Sequence, residues 1–274
     1  MNIAAIEVFV LGFPFKSTFV LAGGVAGAAN ALSHRVLVKL TTASGATGWG
    51  EATPTPRWTY ETTETIVSTL RHYLAPAVVG IPVWNLDALH RAMDRAINPG
   101  VTTGSPLAKS AIDVAAHDAW GRALGVPVYQ LLGGCRGEAF DLTWMVSVEQ
   151  PADAERVVGE GLAAGYTMFD AKIGMHGEAG DLDLLRRARR AAGSCRLQVD
   201  ANRGYRVDAA LRQARRFEAL EIALFEQPLN GFNLSGYRRL QAASPVPIGI
   251  DESLRSVADR LGYVRAYEIG VAVA

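Results

Sequence analysis

The first 60 residues alternate apolar and polar positions or run β-branched, in IAAIEVFVL and HRVLVKLTT, then break into the turn-rich SGATGWGEATPTP. Such alternation marks half-buried strands, and the cluster of Gly, Pro and Thr ends them. Residues 61–133 change period. TYETTETIVSTLRHYLAPAVVG, NLDALHRAMDRAI and SPLAKSAIDVAAHDAWGRALG carry apolar residues at helical spacing, which predicts helices. Thr59 or Thr62 is placed to cap the first, with acids in its opening turn. Strands followed by helices predict an α+β domain. VPVYQLLGG closes on Gly133 and Gly134, so the first domain is drawn at residues 1–135 and the second at 136–274.

After about residue 138 the pattern alternates. FDLTWMVSV, YTMFDAKIG, CRLQVDA, IALFEQPL and VPIGID read as strands, each followed by a helix-like stretch ending with SVADRLGYVRA, and EIGVAVA reads as a sixth strand. Strands alternating with helices argue for a parallel sheet, and a repeat of about 25–30 residues argues for a (β/α) TIM-type barrel. No GxGxxG follows the first strand, so a dinucleotide fold has no direct support. Eight such units need about 200 residues or more, and residues 138–274 supply 137. The barrel read from this chain is therefore incomplete, with about five βα units plus a sixth strand. An open barrel leaves unpaired strand edges. The expectation is a fragment of a longer protein, or a missing part supplied from elsewhere.

Composition narrows the function classes. About half of the 274 residues are apolar, enough for a large core. Lys plus Arg equals Asp plus Glu at 27 each, and no basic stripe recommends nucleic acid. Cys135 and Cys195 form no CxxC, which fits a reducing, cytoplasmic setting. MNIAAIEVFVLGFPF reads as a first strand rather than a signal peptide. No apolar run reaches the roughly 18 residues that a membrane span needs. The five histidines show no metal spacing, RRARR at 186–190 reads as a solvated helix face, and Ser and Cys nucleophile motifs are absent.

Three carboxylates carry the candidate chemistry: Asp200 in LQVDAN, Glu226 in ALFEQP and Asp251 in PIGIDES, spaced 26 and 25 residues apart. That is one strand-plus-helix unit, so the barrel would place them on three successive strand ends facing one point. Converging carboxylates repel unless a cation joins them, and hard oxygen ligands favour Mg²⁺ or Mn²⁺. One strand earlier, FDAKIG places Asp170 and Lys172 on the same, inward face, with Ala171 and Ile173 outward. An inward lysine beside a metal site is a candidate general base.

These residues resemble the enolase superfamily, in the muconate cycloisomerase-like branch of the mandelate racemase/muconate lactonizing enzyme family. GWGEATPTPRWTYET, SPLAKSAIDVAAHDAWGRALGVPVYQLLGG, Lys172 and the VDAN/FEQP/DES series carry the resemblance, which covers the whole chain. It implies an enolase N-terminal-like capping domain before the barrel. It also implies a Mg²⁺ (or Mn²⁺) held by Asp200, Glu226 and Asp251. By that resemblance the substrate would be a small-molecule carboxylate, and a lysine would remove or return the proton on its adjacent carbon through an enolate. The reaction would be that of a lyase or isomerase, most like muconate cycloisomerase. A racemase, an epimerase, an acid-sugar dehydratase and a non-catalytic fragment that keeps the metal ligands are the alternatives. A homo-oligomer is expected.

Two departures stand out. The family usually has a second lysine two residues before the base, which lowers the base's pKa; here that position is Asp170, which should raise it. The family's opposing lysine would fall just past Ala274. By the same resemblance, substrate choice would come from loops near Lys16–Asn30 and Thr53–Trp58. Arg57, Trp58 and Asn202 are candidate substrate contacts, and Gly23, Gly24 and Gly27 suit either a mobile lid or a long hairpin loop.

Overall fold

The alternating segments at the start of the chain form strands β1 (Ile3–Pro14), β2 (Phe19–Leu21), β3 (Gly24–Gly27), β4 (Leu32–Thr42) and β5 (Thr47–Ala52). This computed structural model describes residues 1–56, 58–100 and 102–255. Backbone contacts divide the chain into two units: Met1–Ser17 with Ala29–Glu138, and Thr18–Ala28 with the chain from Ala139.

In the first unit β1, β4 and β5 make an antiparallel sheet in that order, with Val8 opposite Val38 and Lys39 opposite Trp49. Its inner face buries Ile3, Val36, Val38, Leu40 and Ala52 against helices α1 (Thr63–Thr69), α2 (Ala75–Val78), α3 (Leu86–Ala96) and α4 (Pro106–Leu124); a short α5 (Val128–Leu131) follows. Thr62 caps α1, its hydroxyl accepting from the Thr65 amide while the Thr65 hydroxyl accepts from the Thr62 amide. The single helix expected from TYETTETIVSTLRHYLAPAVVG is interrupted by a π-helical turn at Leu70–Leu74, where the Ala75 amide reaches back to the Leu70 carbonyl. Pro76 explains this, because it has no N–H to give and its ring crowds the preceding turn. Helix α4 lies directly on β5. A Cβ on Gly48 would sit 2.1 Å from the Ala115 carbonyl oxygen, and one on Gly50 1.9 Å from that of Ala111. The glycines of GWGEA and the alanines of α4 are thus two halves of one close contact.

The second unit alternates as expected: β6 (Trp144–Val146), α6 (Ala154–Ala163), β7 (Met168–Lys172), α7 (Gly177–Ala192), β8 (Arg196–Asp200), α8 (Val207–Phe217), β9 (Ile222–Glu226), α9 (Leu234–Ala243) and β10 (Ile248–Gly249). The five strands pair in parallel in chain order, and the barrel is not closed among the described residues. β6 is much shorter than FDLTWMVSV suggested, because only three of its residues pair with β7. The expected helix SVADRLGYVRA and strand EIGVAVA lie outside the described residues. Phe169, Ala171, Leu197, Val199 and Phe225 face the helices, in a core with Leu184, Leu185, Ala214, Phe217 and Leu240. That apolar set alternates with Asp170, Lys172 and Asp200, which leaves the polar residues on the inner face. Among the described residues, no helix is long and apolar enough to cross a membrane.

Candidate active site

Strand register brings the chemistry together. Lys172 pairs with Asp200, Asp200 with Glu226, and Glu226 with Gly249, two residues before Asp251. Lys172, Asp200 and Glu226 therefore share one rung at the C-terminal ends of β7, β8 and β9. Asp170 lies one inward position below, beside Gln198. This end of a parallel barrel is where loops converge on ligands. Asp170, Lys172, Asp200, Asn202 and Glu226 are all buried, while Asp251 is exposed.

Lys172 binds two carboxylates at once. Its Nζ lies 2.8 Å from Asp170 Oδ2 and donates at 2.6 Å to Asp200 Oδ2. Burial opposes its charge, but Asp170 and then Asp200 outweigh burial and push the ammonium above the ordinary lysine range. This is the direction expected from Asp170 in the sequence. Asp170 itself is raised, first by burial, with Lys172 pulling against that. Asp200 Oδ1 accepts from the Asn202 amide at 2.8 Å and Oδ2 from Asn202 Nδ2 at 2.6 Å. Asn202 thus orients Asp200; it also reaches Glu252 Oε1 at 3.4 Å, and its own Oδ1 is a buried acceptor with no partner among the described residues. Glu226 is pushed up to about 8, by burial first and then by Asp200 and Asp170. Asp251, though exposed as a residue, is raised by partial desolvation of its carboxyl and then by Asp200.

Two residues join the site that the strand-end pattern did not single out. Glu252, next to Asp251, is pushed up to about 7 mainly by burial and lies 3.6 Å from Arg203 Nε. Gln227, next to Glu226, is fully buried. Both are legible in the motifs DES and FEQP, yet a polar residue beside a ligand carries no periodic signal of its own. The glycine-rich stretch of the Lys16–Asn30 loop forms the β2–β3 hairpin. The Ser147 hydroxyl, after β6, accepts from the Val20 amide at 3.0 Å and donates to the Val20 carbonyl at 2.8 Å. The Ala22 methyl lies against Gly174 and Gly204, in the loops after Lys172 and Asp200. Trp58 belongs to the first unit, where its amide donates to the Thr55 carbonyl at 2.7 Å. Arg57 lies outside the described residues.

The donor set has the chemistry of a hard-cation site. Asp170, Asp200, Glu226, Asp251 and Glu252 lie together with the cations Lys172 and Arg203, and four of the carboxyls are raised, first by burial and then by their acidic neighbours. Asn202 Oδ1, Asp170 Oδ1 and Glu252 Oε2, buried acceptors with no hydrogen-bond partner among the described residues, point the same way. Among the described residues no three such side chains are already gathered at ligating distance; the ammonium of Lys172 sits on Asp200 instead.

Known proteins match this chain in both units. Residues 14–133 match the family described as Mandelate racemase / muconate lactonizing enzyme, N-terminal domain, and residues 152–272 match Enolase C-terminal domain-like. An L-Ala-D/L-Glu epimerase of Bacillus subtilis is 33% identical over 225 residues, covering 81% of this chain and 60% of that protein. Muconate cycloisomerase 1 of Pseudomonas putida is 34% identical over 231 residues, covering 82% and 60%. A solved dipeptide epimerase of Enterococcus faecalis, complexed with Mg and the dipeptide L-Leu-L-Tyr, has a TM-score of 0.90 at 25% identity, covering 100% of this chain and 74% of that one. The chain spans 60% of the length of the epimerase and the cycloisomerase.

Proposed function

The chain belongs to the mandelate racemase/muconate lactonizing enzyme family of the enolase superfamily, and on that premise we propose that it serves a Mg²⁺-dependent isomerase or lyase. The reaction class is removal or return of the proton next to a substrate carboxylate. Asp200, Glu226 and Asp251 would hold the cation, with Mn²⁺ as a substitute. The observation that carries this reading is one rung holding Lys172, Asp200 and Glu226, with Asp251 one inward position above Gly249. When bound, the dication supplies positive charge against the negative charge that builds on the substrate carboxylate.

The chain's own residues do the rest. Asn202 fixes the Asp200 carboxylate through both of its oxygens. With no cation bound, Asp170 and Asp200 hold a proton on Lys172 Nζ; with Asp200 given to the cation, Asp170 still favours the charged form, which suits this lysine to return a proton or stabilise charge. That role favours a muconate cycloisomerase-like reaction. A racemase or an epimerase, which needs acid and base on opposite faces of the carbon, is the alternative within the same reaction class. Substrate contact by Asn202 and assembly as a homo-oligomer belong to the same proposal.

Calorimetry tests the cation. The chain should bind Mg²⁺, and Asp200→Asn should remove binding; equal affinity in the two proteins would overturn the assignment. Incubation of a panel of carboxylates in deuterated water with Mg²⁺ then reads proton exchange at the adjacent carbon.

A further inference from the structure

Gln227 follows Glu226 directly and has no part in the chemistry above, yet it ties together all three acid-bearing strand ends. Its main chain joins the neighbours: its N–H donates to the Gly249 carbonyl at 3.0 Å, and its carbonyl accepts from the Arg203 amide at 2.8 Å. Its φ of +36° lies in the left-handed region, where a residue other than glycine costs about 1 kcal/mol or more. Such strain persists only where surrounding contacts hold it, and here the side chain supplies them.

The carboxamide is fully buried and every part of it is engaged. Oε1 accepts from the Asp251 amide at 2.8 Å and the Ser253 amide at 3.3 Å. Nε2 donates to the Leu229 carbonyl at 3.0 Å, to the Tyr237 hydroxyl at 2.8 Å and to Ser253 Oγ. Two amide donors on one side and a carbonyl on the other allow a single orientation of the group. β10 ends at Gly249, so the amides of Asp251 and Ser253 lie beyond the parallel ladder. The Gln227 oxygen takes the place of a strand partner for them. Gly231, in the loop between β9 and α9, packs against this turn, where an added Cβ would fall 2.3 Å from Ser253 Oγ.

We infer that Gln227 is a positioning residue for the cation site. Its carboxamide sets the backbone of the Asp251 turn, and with it the placement of the Asp251 carboxylate beside Glu226 and Asp200. The inference rests on those three acids being the cation ligands.

The test uses the full chain, Mn²⁺ as probe, calorimetry for affinity, and the electron paramagnetic resonance spectrum of bound Mn²⁺ for geometry. Gln227→Met keeps the side chain's length and loses all its polar bonds. It should weaken Mn²⁺ binding by about 10–100-fold, as loss of an outer-shell partner does, and change the bound spectrum, at temperatures where circular dichroism shows a folded protein. Tyr237→Phe removes a neighbour of Nε2 but spares the bonds to Asp251 and Ser253. It should lower the Tm while leaving Mn²⁺ affinity within about twofold, since only outer-shell partners of the ligands carry the larger effect. Should Gln227→Met not fold, Gln227→Asn carries the test. It keeps a carboxamide but withdraws the oxygen from the Asp251 and Ser253 amides, and it should weaken Mn²⁺ binding by about 10-fold and change the bound spectrum. A folded Gln227→Met with parental affinity and spectrum overturns the inference. So does equal loss of binding in Tyr237→Phe, or a folded Gln227→Asn with parental affinity and spectrum. A parent chain that binds no Mn²⁺ overturns the cation reading itself, and this inference with it.

Discussion

Without a divalent cation the second unit should lose stability as the pH rises, with Glu226 at the centre of the effect. The residue is 8% exposed, on one rung with Asp200 and near Asp170 and Asp251. Burial and then these neighbours raise it from 4.5 to about 8, Lys172 opposing. A group that holds its proton more tightly when folded favours the fold most below its unfolded value. That contribution fades as the pH climbs through the folded value. At 1.36 kcal/mol per pH unit, the interval from 4.5 to about 8 is worth at most ~5 kcal/mol. Water at the open strand ends reduces this, and ~2–3 kcal/mol between pH 5 and pH 8.5 is the expected loss. Glu252 and Asp251, also raised, titrate with it as one cluster. Urea unfolding in EDTA at stepped pH measures the slope. Glu226→Gln, which cannot ionise, should flatten it and be the more stable protein by ~2 kcal/mol at pH 8.5. Added Mg²⁺ should restore the parent at that pH. A parent whose unfolding free energy is level from pH 5 to 8.5, or one that follows the same curve as Glu226→Gln, refutes the reasoning.

Three further outcomes follow from packing. Gly50→Ala places a methyl into the Ala111 carbonyl, so it should destabilise the first unit by ~3 kcal/mol or more, read by thermal melting; a change below ~1 kcal/mol would contradict the close contact. Tyr205→Phe removes a hydroxyl that donates at 2.6 Å to the buried Asp181, and loss of a bond to a charged, buried acceptor should cost ~2 kcal/mol in urea, against no change if the pair is idle. Ser147→Ala removes both bonds to Val20; a nonspecific protease should then cut within residues 22–24 some 5–30-fold faster, and equal rates would show that the hairpin is held by other means.

The barrel strands and their acids were legible because each follows a local rule. Alternation in FDAKIG separates Asp170 and Lys172 from Ala171 and Ile173, and the spacing of Asp200, Glu226 and Asp251 repeats one βα unit. The cap at Thr62 followed in the same way. What escaped depends on distance or on chemistry without a period. The π-helical turn arises from Pro76 acting on the turn before it. The role of Gln227 depends on the path of a turn some 25 residues later, which no window of sequence displays. The sequence marks Asn202 as a candidate substrate contact, but its two bonds to Asp200 are visible only in the fold. The partnership of the β2–β3 hairpin with the later chain is of the same kind, since Val20 and Ser147 are 127 residues apart.

That last separation bears on the order in which the protein can be made. During synthesis residues 18–28 emerge early, while their dock at Ser147, Gly174 and Gly204 is produced only after the whole helical part of the first unit. At ordinary translation speeds of about 5–20 residues per second, a gap of 127 residues is a wait of roughly 6–25 s. Val20 and Leu21, buried once the hairpin docks, stay uncovered through that interval. A cut placed at the glycines after α5 would make the wait permanent: the first piece would carry a bare apolar hairpin, and the second would lack its cover.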